Sequence, residues 1–303
     1  MSLKGCIFAI ARGSLHDGPG VRTVAYFKGC DLRCAWCHNP EGLDARPELL
    51  VDERRCIACG RCAALCSCHS RDALGRHIHI REGCAMCGKC ADACPSGAIE
   101  RCGEWYDAGA LVRELMRDVH YFRRSGGGVT FSGGECLLQA GFLREVCAAC
   151  QALGVHTLVE TALHVPWPAV EAVAPFVDEF YVDIKHMNAG LHRRYTGADN
   201  APVLDNLRRL SAVHRRITAR VPLIPGVNDG FDDLLCTCRF AGSLDLAGVE
   251  LLRYNPLGES KYRRLGRPFQ NFGQGPQALE DVLALCRRLN AALGREGFVR
   301  CRA

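Results

Sequence analysis

Apolar residues recur along this chain in two rhythms. In one they fall three or four apart, as an amphipathic helix requires. In the other they form short runs of Val, Ile, Leu and Phe bounded by turn residues, as buried strands do. Residues 5–28 read as a short apolar segment, a turn at His16-Asp17-Gly18-Pro19-Gly20 and a strand over 21–28. Over 107–124, Leu111, Leu115, Val119 and Phe122 keep helical spacing, and Asp107 stands as N-cap. The pattern then alternates. It predicts strands over 129–131, 155–160, 176–185, 216–224, 249–254 and 298–301, and helices over 138–153, 168–174, 202–214, 231–241 and 277–293. Apolar strands alternating with helices imply parallel strands covered by helices, in an open sheet or a barrel. In both, chemistry collects at the carboxyl ends of the strands.

Residues 52–102 break this rhythm. Cys56-x2-Cys59-x2-Cys62-x3-Cys66 is followed by Cys84-x2-Cys87-x2-Cys90-x3-Cys94-Pro95, an internal repeat. The spacing is that of bacterial two-cluster ferredoxins, in which the fourth Cys of each run ligates the other cluster. It pairs Cys56, Cys59 and Cys62 with Cys94, and Cys84, Cys87 and Cys90 with Cys66. Ser67 stands where Pro is usual, and Cys68 competes with Cys66 as the ligand. Two zinc knuckles are the rival reading, but zinc sites do not need four evenly stepped thiols.

Composition narrows the class. The chain has 303 residues and a net charge of +5, with basic residues that are almost all Arg and spread along its length. That distribution argues for a solvated surface and against a nucleic-acid patch. Met1 is followed by Ser-Leu-Lys-Gly-Cys with no signal-peptide core, and no apolar run approaches membrane-spanning length, so a soluble cytoplasmic protein is expected. Twenty-one cysteines do not mean a disulfide scaffold, because such scaffolds are short and secreted. Their spacing points to iron–sulfur clusters and an anaerobic or well-reduced setting.

The remaining cysteine group follows the first predicted strand directly, at Cys30-x3-Cys34-x2-Cys37, with Trp36 before the third. Three thiolates leave one metal position open for a ligand, whereas four seal a site. This spacing resembles the radical S-adenosylmethionine (SAM) superfamily. With His-Asp-Gly-Pro-Gly-Val-Arg-Thr (16–23) leading into the loop, the chain resembles the activating enzymes of glycyl radical enzymes. The resemblance covers nearly the whole chain and implies a partial (β/α)6 barrel, 1–51 and 103–303, with a ferredoxin-like two-[4Fe-4S] insert, 52–102.

It also implies site residues. Cys30, Cys34 and Cys37 would hold the [4Fe-4S] cluster that SAM chelates, with Trp36 beside the adenine and His38 flanking the open iron. Gly133, Gly134 and Glu135 resemble the motif for the SAM ammonium group, and two glycines let backbone approach a ligand closely. Asp183-Ile184-Lys185 matches an Asp-x-Lys that contacts SAM, its two charged residues sharing one face of a strand. An ion-paired rim is the bland alternative. Glu160-Thr161-Ala162 ends another strand, with Glu160 for the commoner Asp and Ala162 departing from the pattern. Arg220 would neutralise the SAM carboxylate or hold peptide backbone, and Asn255 stands where some members have His near the adenosine. Asp17 and His38 would hold the substrate peptide.

The implied reaction needs no acid–base dyad. A one-electron donor such as flavodoxin or ferredoxin would reduce the SAM-bound cluster through the two insert clusters, and the 5′-deoxyadenosyl radical would take hydrogen from a backbone glycine of a partner glycyl radical enzyme. Two other classes fit parts of the sequence: a ferredoxin-type electron carrier, and a radical SAM enzyme acting on a small molecule or peptide.

Overall fold

The computed structural model describes residues 3–273 and 275–302. The strands, in chain order, are β1 (Lys4–Ser14), β2 (Arg22–Phe27), β3 (Glu48–Val51), β4 (His69–Arg71), β5 (His77–His79), β6 (Ile99–Cys102), β7 (Glu104–Asp107), β8 (Gly128–Gly133), β9 (His156–Thr161), β10 (Glu179–Asp183), β11 (Ile217–Pro222), β12 (Gly248–Leu252) and β13 (Val299–Arg302). Nine of them form one sheet in the order β13-β12-β11-β10-β9-β8-β2-β1-β7. From β2 to β13 every pairing is parallel; β1 and β7 add antiparallel strands at one edge.

The parallel strands are connected by the helices α3 (Ala108–Leu115), α4 (Val119–Ser125), α5 (Ala140–Ala152), α6 (Trp167–Val173), α7 (Ala189–Thr196), α8 (Ala201–Val213), α9 (Phe231–Ser243), α10 (Glu259–Arg264) and α11 (Leu279–Leu293); α1 (Arg61–Leu65) and α2 (Lys89–Asp92) belong to the cysteine-rich segment. Alternation along each strand sorts the faces. Val129, Phe131, Val159, Phe180, Val182, Val221 and Leu251 point into a core shared with Leu143, Val170, Leu210, Leu234 and Leu289 of the helices. The opposite, concave face carries Arg22, Thr130, Tyr181, Arg220 and Glu250, all buried, and the half-buried Glu160. The sheet is curled. Arg302 on β13 donates to the carbonyls of Leu15 and Gly18, 3.1 Å each, in the turn that precedes β2. The first and last parallel strands thus meet across one turn, as in a partial barrel.

Several predicted elements change. The helix expected over 107–124 is two helices joined by a tight turn at Met116–Asp118, although Asp107 does cap the first, accepting from Ala110 N at 2.7 Å. The short apolar segment near the N-terminus is an eleven-residue strand. In the cysteine-rich segment β3 and β6 pair as an antiparallel stem. The two cysteine runs follow the same local path: Ala58 and Met86 have φ of 53° and 52°, Gly60 and Gly88 of 78° and 76°, and each run then enters a short helix.

Candidate active site

The three-cysteine loop leaves β2 and is fastened from several sides. Gly29 N donates to Gly42 O (2.8 Å), Arg33 N to Thr196 O (2.7 Å) and Ala35 N to Tyr195 O (2.8 Å). Lys261 of α10 reaches His38 O and Asn39 Oδ1, both at 3.1 Å. Lys28, fully buried, donates to Glu41 O and pairs with Glu48 at 2.9 Å. Cys30, Cys34 and Cys37 line a cleft of about 290 Å³ at the carboxyl ends of the strands, together with Trp36, His38, Gly133, Gly134, Glu160, Asp183, Lys185, Arg220 and Asn255. Burial pushes the thiols of Cys30 and Cys34 up to about 12 and that of Cys37 to about 11. Three sulfurs converging on one cleft are the donor set an iron–sulfur group takes, bound as thiolates that the metal stabilises against the cost of burial. Trp36 Nε1 is buried with no partner among the described residues, a donor free for a ligand. Its ring packs against Tyr195 and Phe272.

At the strand ends the geometry differs from what was expected for Glu135 and Ile184. Glu135 does not face the cleft. It is 2 % exposed, and its carboxylate accepts from Thr161 Oγ1 (2.7 Å), Ala162 N (3.0 Å) and Leu137 N (3.3 Å), joining the ends of β8 and β9. Burial pushes it up to about 7, although those hydrogen bonds pull the other way. The carboxylates presented to the cleft are Glu160 and Asp183. Ile184 points away into the core, as alternation between Asp183 and Lys185 requires. Gly133 and Gly134 do line the cleft, but a Cβ on Gly134 would lie 2.3 Å from Gly29 O and 2.5 Å from Gly42 O. The residue's smallness seats the cysteine loop on β8.

Arg220 is already engaged. It pairs with Glu160, lies 3.4 Å from Glu250, covers the Tyr181 ring at 4.5 Å and donates to His16 O at 3.2 Å. Its guanidinium sets Glu160, whose other oxygen accepts from Ser132 Oγ at 2.7 Å. Lys185 donates to Asp183 at 2.6 Å. Burial pulls its ammonium down, but Asp183 and the sulfurs of Cys34 and Cys37 outweigh this and hold it above the ordinary lysine value.

Asp17 and His38 do not share a cavity. His38 lines the first cleft; Asp17 lines a second, of about 690 Å³, that joins the first along Arg220, Leu252, Arg253, Tyr254 and Asn255. The turn carrying Asp17 is tucked into the concave face, where Thr130 Oγ1 donates to Asp17 O at 2.6 Å. Tyr254, Tyr195 and Phe272 were not singled out from sequence; they lie in a loop or on a short helix, with no motif around them.

In the insert, Cys56, Cys59, Cys62 and Cys94 line one cavity. Burial raises the Cys90 thiol, and the adjacent Cys84 and Cys87 add to it. The Cys68 thiol is raised chiefly by the neighbouring Cys66, with Cys84 of the second set adding to it.

Comparison with known proteins identifies the family. The Radical SAM superfamily model matches residues 81–236, and a 4Fe-4S single cluster domain model matches residues 16–60, across the three-cysteine loop. The chain is 41% identical over 280 residues to the (2S)-3-sulfopropanediol dehydratase activating enzyme of Klebsiella oxytoca, covering 89% of this chain and 88% of the other. It is 39% identical to the benzylsuccinate synthase activating enzyme of Thauera aromatica, covering 94% and 89%. Among solved structures, Streptococcus suis SuiB bound to precursor peptide SuiA superposes with a TM-score of 0.55 over 92% of this chain and 48% of that one, at 12% identity, a likeness of fold alone. No helix among the described residues is long and apolar enough to cross a membrane. The chain is an enzyme of the radical SAM superfamily, with SAM and at least one iron–sulfur cluster as its cofactors, and belongs to the activating enzymes of glycyl radical enzymes.

Proposed function

We propose that this chain cleaves SAM reductively at a [4Fe-4S] cluster held by Cys30, Cys34 and Cys37, and activates its partner by removing hydrogen from one backbone glycine. The carrying observation is that the three sulfurs and the Lys185–Asp183 pair face one cleft at the carboxyl ends of the parallel strands. When bound, the cluster and SAM supply a one-electron cleavage that yields methionine and a 5′-deoxyadenosyl radical.

The chain's residues bind, orient and exclude water. Lys185 receives the methionine carboxylate, and Asp183 and Glu160 receive the amino group and the sulfonium charge. Arg220 acts through Glu160 as a positioning residue. Trp36 and Tyr254 give an apolar wall for the adenine. Asn255 uses its Oδ1 to cap Leu257 N at 3.0 Å, which leaves its amide N–H groups for the adenosine. The partner's glycine loop lies along the second cleft, past Asp17, and reaches the first beside His38. Filling that opening keeps water and reductants from the radical.

Residues 52–102, inserted between the barrel segments 1–51 and 103–303, act as an electron relay from an external donor to the cluster at Cys30, Cys34 and Cys37. Cys56, Cys59, Cys62 and Cys94 hold one [4Fe-4S] cluster, and Cys84, Cys87, Cys90 and Cys66 or Cys68 the other. The donor is a flavodoxin or ferredoxin in an anaerobic cytoplasm. The two relatives activate a dehydratase and a synthase, and this chain matches them about equally (41% and 39%). What is shared is therefore the radical chemistry rather than one partner.

Anaerobic reconstitution tests the reading. About twelve iron atoms per chain are expected if all three sites fill, with methionine and 5′-deoxyadenosine formed from SAM under dithionite. An iron content of about four would remove the insert clusters, and absence of 5′-deoxyadenosine would remove SAM cleavage.

A further inference from the structure

The β4–β5 hairpin gathers three imidazoles beside the first four-cysteine set. His69 is 3 % exposed, with its Nδ1 2.9 Å from His77 Nε2. The His79 ring stacks on His69 with centroids 4.7 Å apart. The ferredoxin-type spacing asks for none of them, and the second cysteine run is followed by Pro95 and β6 with no histidine. His77 lines the cavity bounded by Cys56, Cys59, Cys62 and Cys94. A ring nitrogen of His69, one of His77 and the Cys62 sulfur all lie within 4.8 Å of one another. His69 Nε2 is buried with no hydrogen-bond partner among the described residues. In either protonation state an imidazole keeps at least one N–H. Two rings, His69 buried and His77 half-buried, sharing a single hydrogen bond therefore have a donor to spare, and the Cys62 sulfur is an acceptor beside them.

We propose that the His69–His77 pair donates an N–H hydrogen bond to the Cys62 sulfur of the cluster held by Cys56, Cys59, Cys62 and Cys94, and so makes this the more easily reduced of the two insert clusters. This rests on the two-cluster reading above. Reduction adds one electron to a cluster whose charge spreads over its sulfurs. A donor aimed at a ligand sulfur stabilises that form and raises the potential. No histidine follows the second run through β6, so the donor to Cys62 makes the two clusters unequal and an electron entering the insert settles at the Cys62 side.

The test is a potentiometric titration of the reconstituted full chain, followed by electron paramagnetic resonance, on wild type, His77→Phe and His77→Gln. Phe keeps a ring without a donor; Gln restores an N–H. His77→Phe is expected to lower the reduced-to-oxidised ratio of one insert cluster about tenfold at fixed potential, about 59 mV for a one-electron couple. Iron content and the other clusters stay unchanged, and His77→Gln recovers most of the shift. Unmoved potentials with full iron overturn the proposal and leave the two-cluster reading intact. A wild-type iron content of about four removes that reading and this one with it. Should His77→Phe lose its iron, isotopically labelled histidine in the unmodified enzyme decides. A weak nitrogen coupling to the reduced insert cluster is expected; no coupling, or one strong enough to mean ligation, overturns the hydrogen bond.

Discussion

Lys185→Met removes one ammonium and keeps the side chain's length and apolar stem. In the structure that ammonium donates to Asp183 at 2.6 Å and is 13 % exposed, against 32 % for Asp183. Two losses follow, of different size. A charge-assisted contact to the SAM carboxylate is worth about 1.5–3 kcal/mol, so affinity for SAM should fall about 10- to 150-fold. Asp183, a third exposed, can hydrate once its partner is gone, so the stability loss should be no more than about 1 kcal/mol, or about 2–4 °C in Tm. The pH dependence is fixed in sign. The Lys185 pKa is raised in the folded protein, so the pair contributes fully below the ordinary lysine value, about 10.4, and is lost only as pH rises beyond it. The affinity deficit should therefore be flat between about pH 6 and 9. Anaerobic calorimetric titration of SAM into reconstituted enzyme measures it, with iron content as control, since Lys185 ligates nothing. Wild-type affinity at full iron content would refute the anchoring role. Loss of iron would show that Lys185 acts on the cysteine loop instead.

Gly134→Ala should displace the cysteine loop, because the added Cβ meets backbone oxygens of Gly29 and Gly42 at 2.3 and 2.5 Å; about 1–3 kcal/mol of stability and the iron at Cys30, Cys34 and Cys37 are expected to go, and normal iron with a normal Tm would contradict this. Burial raises Glu135 from 4.5 to about 7, so its contribution to stability is complete below about 4.5 and is lost as pH rises through about 7, on the order of 3 kcal/mol in all. Thermal melts of the metal-free chain across that window should show a slope that Glu135→Gln flattens, whatever its absolute stability; equal slopes would count against it. Asp17→Ala should impair peptide-dependent turnover more than SAM cleavage alone, read as 5′-deoxyadenosine with and without a glycine-loop peptide, and equal losses in both would return Asp17 to a structural role.

The parts legible in the sequence are those where a local rule acts alone. Period-two alternation puts Asp183 and Lys185 on one face and Ile184 on the other, so the rule that places the charged pair in the cleft also sends Ile184 into the core. The cysteine runs fixed their own backbone through Gly60 and Gly88. The errors arise where tertiary contacts decide. Glu135 and Glu160 both end strands, and only packing of the cysteine loop onto β8 shows that the first is sealed beneath it and the second faces the cleft. Asp17 precedes the cysteine loop closely in sequence, yet the curled sheet draws its turn against β8 and β13, into a separate cleft. Helix α10 (ESKYRR) buries only Tyr262, so no apolar period announces it. It is held by Arg264 on Glu100 and Lys261 on the loop. The histidines of β4 and β5 read as ordinary polar residues until the hairpin stacks them.

The most direct test is to incubate the reconstituted enzyme anaerobically with SAM, a one-electron reductant and a partner glycyl radical enzyme deuterated at glycine Cα. Deuterium appearing in 5′-deoxyadenosine, in step with a glycine-centred radical signal in electron paramagnetic resonance, is the predicted result. Sustained 5′-deoxyadenosine formation with no deuterium from any candidate partner and no glycine radical would contradict it, and would assign the radical to a small molecule or peptide instead.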